Sequence, residues 1–286
     1  MRTILILISL AVAAVPLTGL ACSDGAGEAE VGRTTVAAGF YPLAFAAEQI
    51  GADRVEVSNL TPTGAEPHDV EVSPGDVAAV RDADLVLLLG HSFQPQLEEA
   101  AGDDDEVLHL LDTPGLALLS DDDPHVWLDP VRYATIVRRI ATALGETADA
   151  DALVRRLERL DEEYRSGLAR CERRDLVTSH QAFGYLADRY SLEEVAITGL
   201  SPEAEVDPGR LEEVIGRVRE TGATTVFVEP LVSPRIAETV ARETGATTAV
   251  LDPIEGLTEE AEAAGEDYFS LMRRNLEALR TGLGCS

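Results

Sequence analysis

The sequence contains no lysine. All 23 basic residues are arginines, against 52 aspartates and glutamates, so the formal net charge at pH 7 is −29. A negative field of this size disfavours nucleic-acid backbones and anionic lipid surfaces as partners, and it favours cations or cationic partners. The negative net charge leads us to expect no nucleic-acid partner. The missing lysine by itself indicates a codon bias of the source.

Long hydrophobic segments and repeats are also scarce. Beyond the N-terminal segment the sequence has no second stretch that could span a membrane, no long basic run and no repeat of solenoid length. The chain is nevertheless 286 residues long and 45% hydrophobic, which is enough to bury a core in one large or two medium domains. A wholly disordered protein is excluded.

The N-terminus has the pattern of an export signal. A basic residue precedes the apolar residues 4–20, and small residues lead up to Cys22. Residues 17–22 resemble a bacterial lipoprotein processing box, so we expect residues 1–22 to be a lipoprotein-type signal peptide and Cys22 to carry the lipid. The alternative is ordinary cleavage and a free cysteine. Residues 23–32 are small and acidic, as expected of a flexible tether.

The sequence has few cysteines. If lipid occupies Cys22, then Cys171 and Cys285 remain, an even number in an oxidising compartment. These two thiols are candidates for a disulfide. The alternative of two free thiols stays open, because the sequence does not tell whether the two side chains meet.

Short β-branched segments alternate with helical patterns along the chain, which predicts parallel α/β sheets. The pattern is interrupted by a long helical stretch with one apolar stripe, and it then restarts. We therefore predict an α/β fold with two lobes, each a mainly parallel sheet flanked by helices, joined by one long rigid helix. The expected boundaries are 33–148 for the N-terminal lobe, 149–171 for the linking helix and 172–286 for the C-terminal lobe.

Four candidate metal ligands follow predicted strands. Ligands bind at the carboxyl ends of strands in parallel sheets, and His68, His125, His180 and Asp252 all lie at such ends. Three imidazoles and one carboxylate suit a borderline ion such as zinc. The spacings of 57, 55 and 72 residues match no short zinc motif. Taken singly, each histidine is explained equally well by a capping or core role.

Other polar residues receive lesser roles. Glu229 ends a strand and is a candidate for orienting an imidazole. His91 is interpreted as a loop or cap residue that also follows a strand, and His109 as a packing residue. Residues 121–123 are three aspartates that we expect to be solvated, and Trp127 is expected to hold its loop by packing.

Seven segments together resemble the solute-binding proteins of bacterial zinc and manganese ABC importers. They occur in the order of that family, between residues 34 and 283, and they are GAEPHD (64–69), DPHVWLDP (123–130), TSHQAFGYLADRY (178–190), SPEAE (201–205), FVEPLVS (227–233), LDPIEGLT (251–258) and DYFSLMRRNLEAL (267–279). Any one segment is a weak match, whereas their joint occurrence is specific.

The resemblance implies one metal ion in a cleft between the lobes. It makes His68 and His125 the ligands from the first lobe, and His180 and Asp252 those from the second. Histidine at position 180 favours zinc, because members with glutamate there are typically manganese proteins. The chain departs from many zinc members in having a short acidic segment before His125 in place of a long His-rich loop, so manganese stays an alternative.

The resemblance also implies partners and a location. We expect a monomeric, non-enzymatic receptor that is exported and held by lipid on Cys22 at the outer face of the bacterial cytoplasmic membrane, or that is periplasmic. It would deliver zinc to the permease of an ABC importer, and a metallochaperone is a further candidate partner.

Two alternatives from other classes are weighed against this receptor. One is a metallohydrolase with His68, His125 and His180 around an open metal position and Glu229 or Asp252 as base. The other is a surface adhesin that needs metal only to fold, and which removal of the metal would unfold.

Overall fold

The computed structural model describes residues 32–102 and 104–286. The predicted signal peptide, the lipidation of Cys22 and all of the predicted tether except Gly32 lie outside these residues. Within the described part of the chain, no helix combines the length and the apolar character needed to cross a membrane.

The first sheet is built from the N-terminal third of the chain. Its four parallel strands lie in the order β2-β1-β3-β4 and comprise β1 (Thr34–Ala38), β2 (Val55–Asn59), β3 (Leu85–Leu88) and β4 (Val107–His109). Three helices connect them, namely α1 (Tyr41–Gly51), α2 (Pro74–Asp82) and α3 (Pro95–Ala101). Every residue of β3 is buried, as expected of a central parallel strand that is covered on both faces.

Two helices follow the first sheet. The helix α4 (Pro130–Leu144) has Asp129 as its N-cap, and the Asp129 side chain accepts a hydrogen bond from the backbone N–H of Val131. Its C-cap is Gly145, which adopts the left-handed conformation. The helix α5 (Thr147–Gly167) contacts α1, α4 and also the last helix of the chain. The predicted linking helix therefore exists, but it starts two residues earlier and ends four residues earlier than the sequence pattern indicated.

The second sheet repeats the first. Its parallel strands lie in the order β6-β5-β7-β8 and comprise β5 (Asp175–Thr178), β6 (Glu193–Ala196), β7 (Thr225–Val228) and β8 (Thr247–Val250). The remaining helices are α6 (Gly184–Tyr190), α7 (Pro208–Thr221), α8 (Arg235–Thr244), α9 (Glu259–Ala263) and α10 (Tyr268–Leu283). The short helix α9, capped by the Thr258 side chain, was not predicted.

The predicted fold class is confirmed, with two parallel sheets, flanking helices and a long helix between them. The main apolar cluster runs through both halves and includes the buried side chains of Trp127, Tyr133, Tyr164, Tyr268 and Phe269. Because this core is shared, the exact domain boundaries stay a prediction.

Trp127 and Asp129 tie the two halves together. The indole N–H of Trp127 donates to the carbonyl of Pro253 at 2.8 Å, and its own carbonyl accepts from the Tyr268 hydroxyl at 2.6 Å. The fully buried carboxylate of Asp129 also accepts hydrogen bonds from Arg189 of α6 at 2.9 and 3.0 Å. These contacts fix the segment from Trp127 to Asp129, which begins two residues after His125.

Cys171 and Cys285 form a disulfide. The bond joins the segment after α5 to the end of α10, where the two residues also form an isolated antiparallel bridge. Of the two arrangements that the sequence left open, the structure has the bonded one.

Candidate metal centre

Three histidines and one glutamate converge where strands of both sheets end. His68 lies in a 3-10 turn (Pro67–Asp69) after β2, and His125 immediately precedes a second 3-10 turn (Val126–Leu128). His180 follows β5 by two residues, and Glu255 follows β8 by five. Within the described residues, one group of His, Cys, Asp or Glu side chains has ligand atoms close enough to share a metal ion, and it consists of these four, all within 4.8 Å of one another.

The three imidazoles point one nitrogen at the same carboxylate oxygen. Glu255 Oε1 lies 3.2 Å from Nε2 of His68, 3.1 Å from Nε2 of His125 and 3.5 Å from Nε2 of His180. The Nε2 atoms of His125 and His180 are 3.4 Å apart. The four donor atoms therefore surround a common centre.

Four of the six separations between these donors are close to those of a tetrahedral zinc site. Four donors at bond lengths of roughly 2.0–2.2 Å and at tetrahedral angles lie roughly 3.3–3.6 Å from one another. The measured separations of 3.1 to 3.5 Å fall at or just below this range.

Asp252 is not part of this group, which corrects its assignment as the fourth ligand. Its Oδ1 accepts a hydrogen bond from the backbone N–H of Ile254 at 2.8 Å, and its backbone pairs with the Asn275 side chain. Asp252 therefore stabilises the turn after β8. Ile254 adopts a left-handed conformation with φ of 57°, rare for a β-branched residue, and the next residue, Glu255, enters the centre.

Two carboxylates set the orientation of two of the imidazoles. Nδ1–H of His180 donates to Glu229 at 2.6 Å, and Nδ1–H of His125 donates to Asp123 at 2.8 Å. A proton on Nδ1 leaves the lone pair of Nε2 facing the other ligands, as metal binding requires. Glu229 makes the contact expected of it, whereas the expectation that Asp123 is solvated is wrong, because this residue is buried and orients His125.

The centre is almost closed to solvent. His125 and His180 are fully buried, Glu255 is 2% exposed, and the His68 side chain is 11% exposed. Phe93 packs edge-on against the His68 ring with the centroids 4.7 Å apart, and Trp127 lies 5.2 Å from the His125 ring. Aromatic packing thus restrains the His68 ring and adds to the hydrogen bond that orients the His125 ring.

Hydrogen bonds between the ligands shift the pKa values of His180 and Glu255 in opposite directions. Burial lowers the pKa of His180, but hydrogen bonds to Glu229 and Glu255 outweigh that effect and raise the pKa to about 10. Burial raises the pKa of Glu255, but hydrogen bonds from the three histidines bring it well below its ordinary value. The carboxylate therefore stays ionised beside the His180 imidazole, which holds a proton that a divalent cation can replace.

Glu66 is a half-buried acid next to the His68 turn that the sequence did not single out. Its Oε2 accepts from the backbone N–H of His68 at 3.0 Å, whereas its Oε1 is buried and has no hydrogen-bond partner among the described residues. Burial and the charge of Glu255 raise the pKa of Glu66 to about 9. A cation in the centre would lower the pKa of Glu66, because a nearby positive charge stabilises the ionised carboxylate.

The chain is similar to proteins that are named for zinc binding or zinc uptake. The chain is 34% identical over 279 residues to the zinc-binding lipoprotein AdcA of Streptococcus pneumoniae, an alignment that covers 87% of this chain and 56% of that protein. The chain thus spans little more than half the length of this relative. It is 29% identical to the high-affinity zinc uptake system protein ZnuA of Bacillus subtilis, over 94% of this chain and 93% of that protein.

A solved structure and a family model agree with these relatives. The Zn(II)-bound ZnuA-like domain of S. pneumoniae AdcA superposes with a TM-score of 0.75 at 34% identity, covering 88% of this chain and 99% of that domain. Residues 36–282 match the family model described as zinc-uptake complex component A, periplasmic. The chain therefore belongs to the ZnuA family of zinc-uptake solute-binding proteins.

Proposed function

We propose that this chain is an extracytoplasmic receptor that captures one zinc ion at His68, His125, His180 and Glu255 and delivers it to the permease of an ABC importer. The observation that carries the proposal is the convergence of three imidazole nitrogens and one carboxylate oxygen, all within 4.8 Å of one another, in a set of donors that suits zinc. The names of the relatives support zinc as the cargo.

The donor set favours zinc over manganese. Three neutral nitrogens and one carboxylate suit borderline ions, whereas manganese prefers oxygen donors in six-coordinate sites. Manganese proteins of this kind typically have glutamate at position 180, where this chain has a histidine. A 2.6 Å hydrogen bond to Glu229 holds His180 with its Nε2 facing the centre. Glu255 supplies the one anionic donor of the four.

Four protein donors favour a receptor over an enzyme. A catalytic zinc keeps a coordination position for water, whereas a site closed by four protein ligands has none. Glu229, the candidate base of the hydrolase alternative, is engaged by the Nδ1–H and the backbone N–H of His180. We therefore propose that the chain is not an enzyme and that transport needs the permease and a separate ATPase.

The proposed location depends on the N-terminus. The segment ending at Cys22 resembles a lipoprotein processing box, and the pneumococcal relative is named a lipoprotein. We place the mature chain at the outer face of the cytoplasmic membrane, held by lipid on Cys22, as a monomer that meets its permease there. A metallochaperone is a further proposed partner.

Metal competition on the purified protein tests the proposal. The exported chain is freed of metal with a chelator and titrated with zinc, and then with zinc against manganese, at a free ion concentration set by a chelator buffer. We expect one zinc per chain and displacement of manganese by zinc. Binding of manganese in preference to zinc, or no binding of either ion, would contradict the proposal.

Restoration of growth tests delivery. A host that lacks its own zinc receptor is given this chain together with its cognate permease and ATPase, and it is grown with a zinc chelator. We expect growth with the parent chain and none with a His125→Ala variant, which is expressed and exported equally. Equal growth with both chains would show that the centre does not serve uptake.

A further inference from the structure

The turn formed by residues 90–94, between β3 and α3, has an unusual backbone. Gly90, His91 and Ser92 have φ of 85°, 57° and 65°, so three consecutive residues lie in the left-handed region and two of them are not glycine. Such conformations are costly for non-glycine residues and persist where the surrounding structure imposes them. We refer to this segment as the 90–94 turn.

The imidazole of His91 bridges two acceptors. Its Nδ1 lies 2.8 Å from the carbonyl oxygen of Asp121, and its Nε2 lies 3.0 Å from the carboxylate of Asp112. A neutral imidazole has one N–H and satisfies one acceptor, whereas the imidazolium donates to both. His91 therefore satisfies both acceptors only when it is protonated, and the Asp121 carbonyl that it contacts lies four residues before His125.

The other end of the same turn contacts the segment of His68. The Phe93 ring packs edge-on against the His68 ring, with the centroids 4.7 Å apart. The Gln94 side-chain N–H donates to the carbonyl of Pro67 at 3.4 Å and to that of Gly39 at 3.1 Å. Both zinc-ligand loops of the first sheet thus meet the 90–94 turn.

We propose that the 90–94 turn is a positioning element for the two first-lobe ligands, and that the His91 imidazolium is the residue that holds the loop of His125 in register with His68. This inference rests on the proposed zinc site. It assigns a role to His91, which is not one of the four metal ligands. It also makes zinc affinity depend on whether the His91 imidazole is protonated.

The charged groups around His91 define the direction of the pH dependence. Asp112 faces it from the 3-10 turn Leu110–Asp112, Asp121 faces it from the loop before His125, and Glu98 of α3 accepts the backbone N–H groups of Ser92 and Gln94. The hydrogen bonds to Asp112 and Asp121 raise the pKa of His91. The bridge is therefore intact below that raised pKa and is lost as the pH rises through it.

Replacement of His91 by asparagine tests the role. Asparagine tolerates the left-handed conformation, so His91→Asn keeps the backbone of the turn and removes the two-ended donor. Ser92→Asn is the matched control, because it makes the same kind of change at the next left-handed position. Melting temperatures of both variants verify that they fold.

Zinc affinity is measured against a chelator at about pH 6.5, the ordinary pKa of a histidine, and at about pH 9. We expect His91→Asn to bind zinc roughly three- to tenfold more weakly than the parent at the lower pH, less than the loss typical of a residue that contacts a ligand directly. At the higher pH the ratio should approach one, because the parent loses its bridge too. Ser92→Asn should match the parent at both values.

Hydrogen exchange in the metal-free chain separates this inference from the proposed function. His91→Asn should increase exchange of the backbone amides of residues 117–125, and Ser92→Asn should not. An unchanged exchange rate together with a pH-independent affinity ratio would overturn the inference while the parent still binds zinc. Failure of the parent to bind zinc would overturn the proposed function instead, and the exchange measurement would still decide whether His91 holds the loop.

Discussion

Glu255 Oε1 lies 3.1 Å from Nε2 of His125, although the two residues are 130 positions apart in the chain. The contact crosses from the second sheet to the loops of the first, so the centre is complete only when both halves are docked. The buried links through Trp127 and Asp129 hold the halves in this arrangement. Zinc affinity is therefore a property of the docked pair of lobes.

Removal of one imidazole should abolish tight binding without unfolding the chain. We expect His180→Ala to lower zinc affinity by more than about 100-fold, since a lost ligand costs more than a lost neighbour of a ligand. Chelator competition measures the affinity, and circular dichroism verifies the fold. His109→Ala is the control, because His109 belongs to β4 and lies outside the four-residue group. Equal affinities for the two variants would remove His180 from the site.

The carboxylates behind the imidazoles should have smaller effects than the ligands. Glu229→Gln and Asp123→Asn keep the size of each side chain but weaken the hydrogen bond from Nδ1–H of His180 or His125. We expect each to reduce zinc affinity by about 10- to 100-fold. A loss as large as that of His180→Ala would show that the carboxylate is itself a ligand.

Zinc binding should depend on pH with a defined sign. The pKa of His180 is raised to about 10, because hydrogen bonds to Glu229 and Glu255 outweigh the effect of burial. In the metal-free chain this interaction contributes stability that is fully present below the ordinary pKa of 6.5 and is lost as the pH rises through about 10. Zinc must displace that proton, so its affinity should fall as the pH falls.

Calorimetry in two buffers with different ionisation enthalpies tests the proton balance. We expect the release of at least about one proton per zinc near neutral pH, and a lower affinity at pH 6 than at pH 8. A flat affinity between these values, with no proton released, would contradict a site made of three imidazoles.

The link between the halves should be important for stability. Asp129 is fully buried, caps α4 and accepts hydrogen bonds from Arg132 at 2.6 Å and from Arg189. We expect Asp129→Ala to lower the free energy of unfolding by about 2–4 kcal/mol, from the lost cap and from arginines left without their partner. Denaturant unfolding measures the change.

An exposed ion pair provides the comparison for Asp129. Arg33 and Glu56 pair at 2.7 Å, with side chains 57% and 60% exposed. Glu56→Ala should cost less than about 1 kcal/mol, because solvent screens an exposed pair. Equal losses of unfolding free energy for Asp129→Ala and Glu56→Ala would show that the buried contacts of Asp129 stabilise the fold no more than an exposed ion pair does.

The fold could be predicted from the sequence because its signals are local. Alternation of β-branched strands with amphipathic helices indicated both parallel sheets, and the apolar stripe through Leu153 and Leu160 indicated the long helix, now seen as α5. The ends of α5 were less predictable, since Leu168 leaves the helix near the disulfide between Cys171 and Cys285.

The site was predictable only in part. His180 follows β5 by two residues, whereas His68 and His125 lie in the longer loops after β2 and β4. The rule that ligands lie at the carboxyl ends of parallel strands applies to all three. Glu255 follows β8 by five residues, and it reaches the centre through a turn in which Ile254 is left-handed and Asp252 binds a backbone N–H. That conformation is imposed by tertiary contacts, so the nearer acid, Asp252, was chosen.

The aspartates before His125 were misjudged for a related reason. Three consecutive acids are usually solvated, and Asp121 and Asp122 are indeed exposed. Asp123 is buried because its side chain accepts both the backbone N–H and the ring Nδ1–H of His125. Sequence composition does not distinguish one acid of a run from its neighbours, whereas the hydrogen bonds of the folded loop do.

The most direct test compares the two acids of the LDPIEGLT segment. Zinc affinity of Glu255→Gln and Asp252→Asn is measured by chelator competition at one pH, because both changes remove one carboxylate from the same loop. We predict a loss of more than about 100-fold for Glu255→Gln and a change of less than about tenfold for Asp252→Asn. The opposite order, with Asp252→Asn abolishing binding and Glu255→Gln retaining it, would contradict the centre described above.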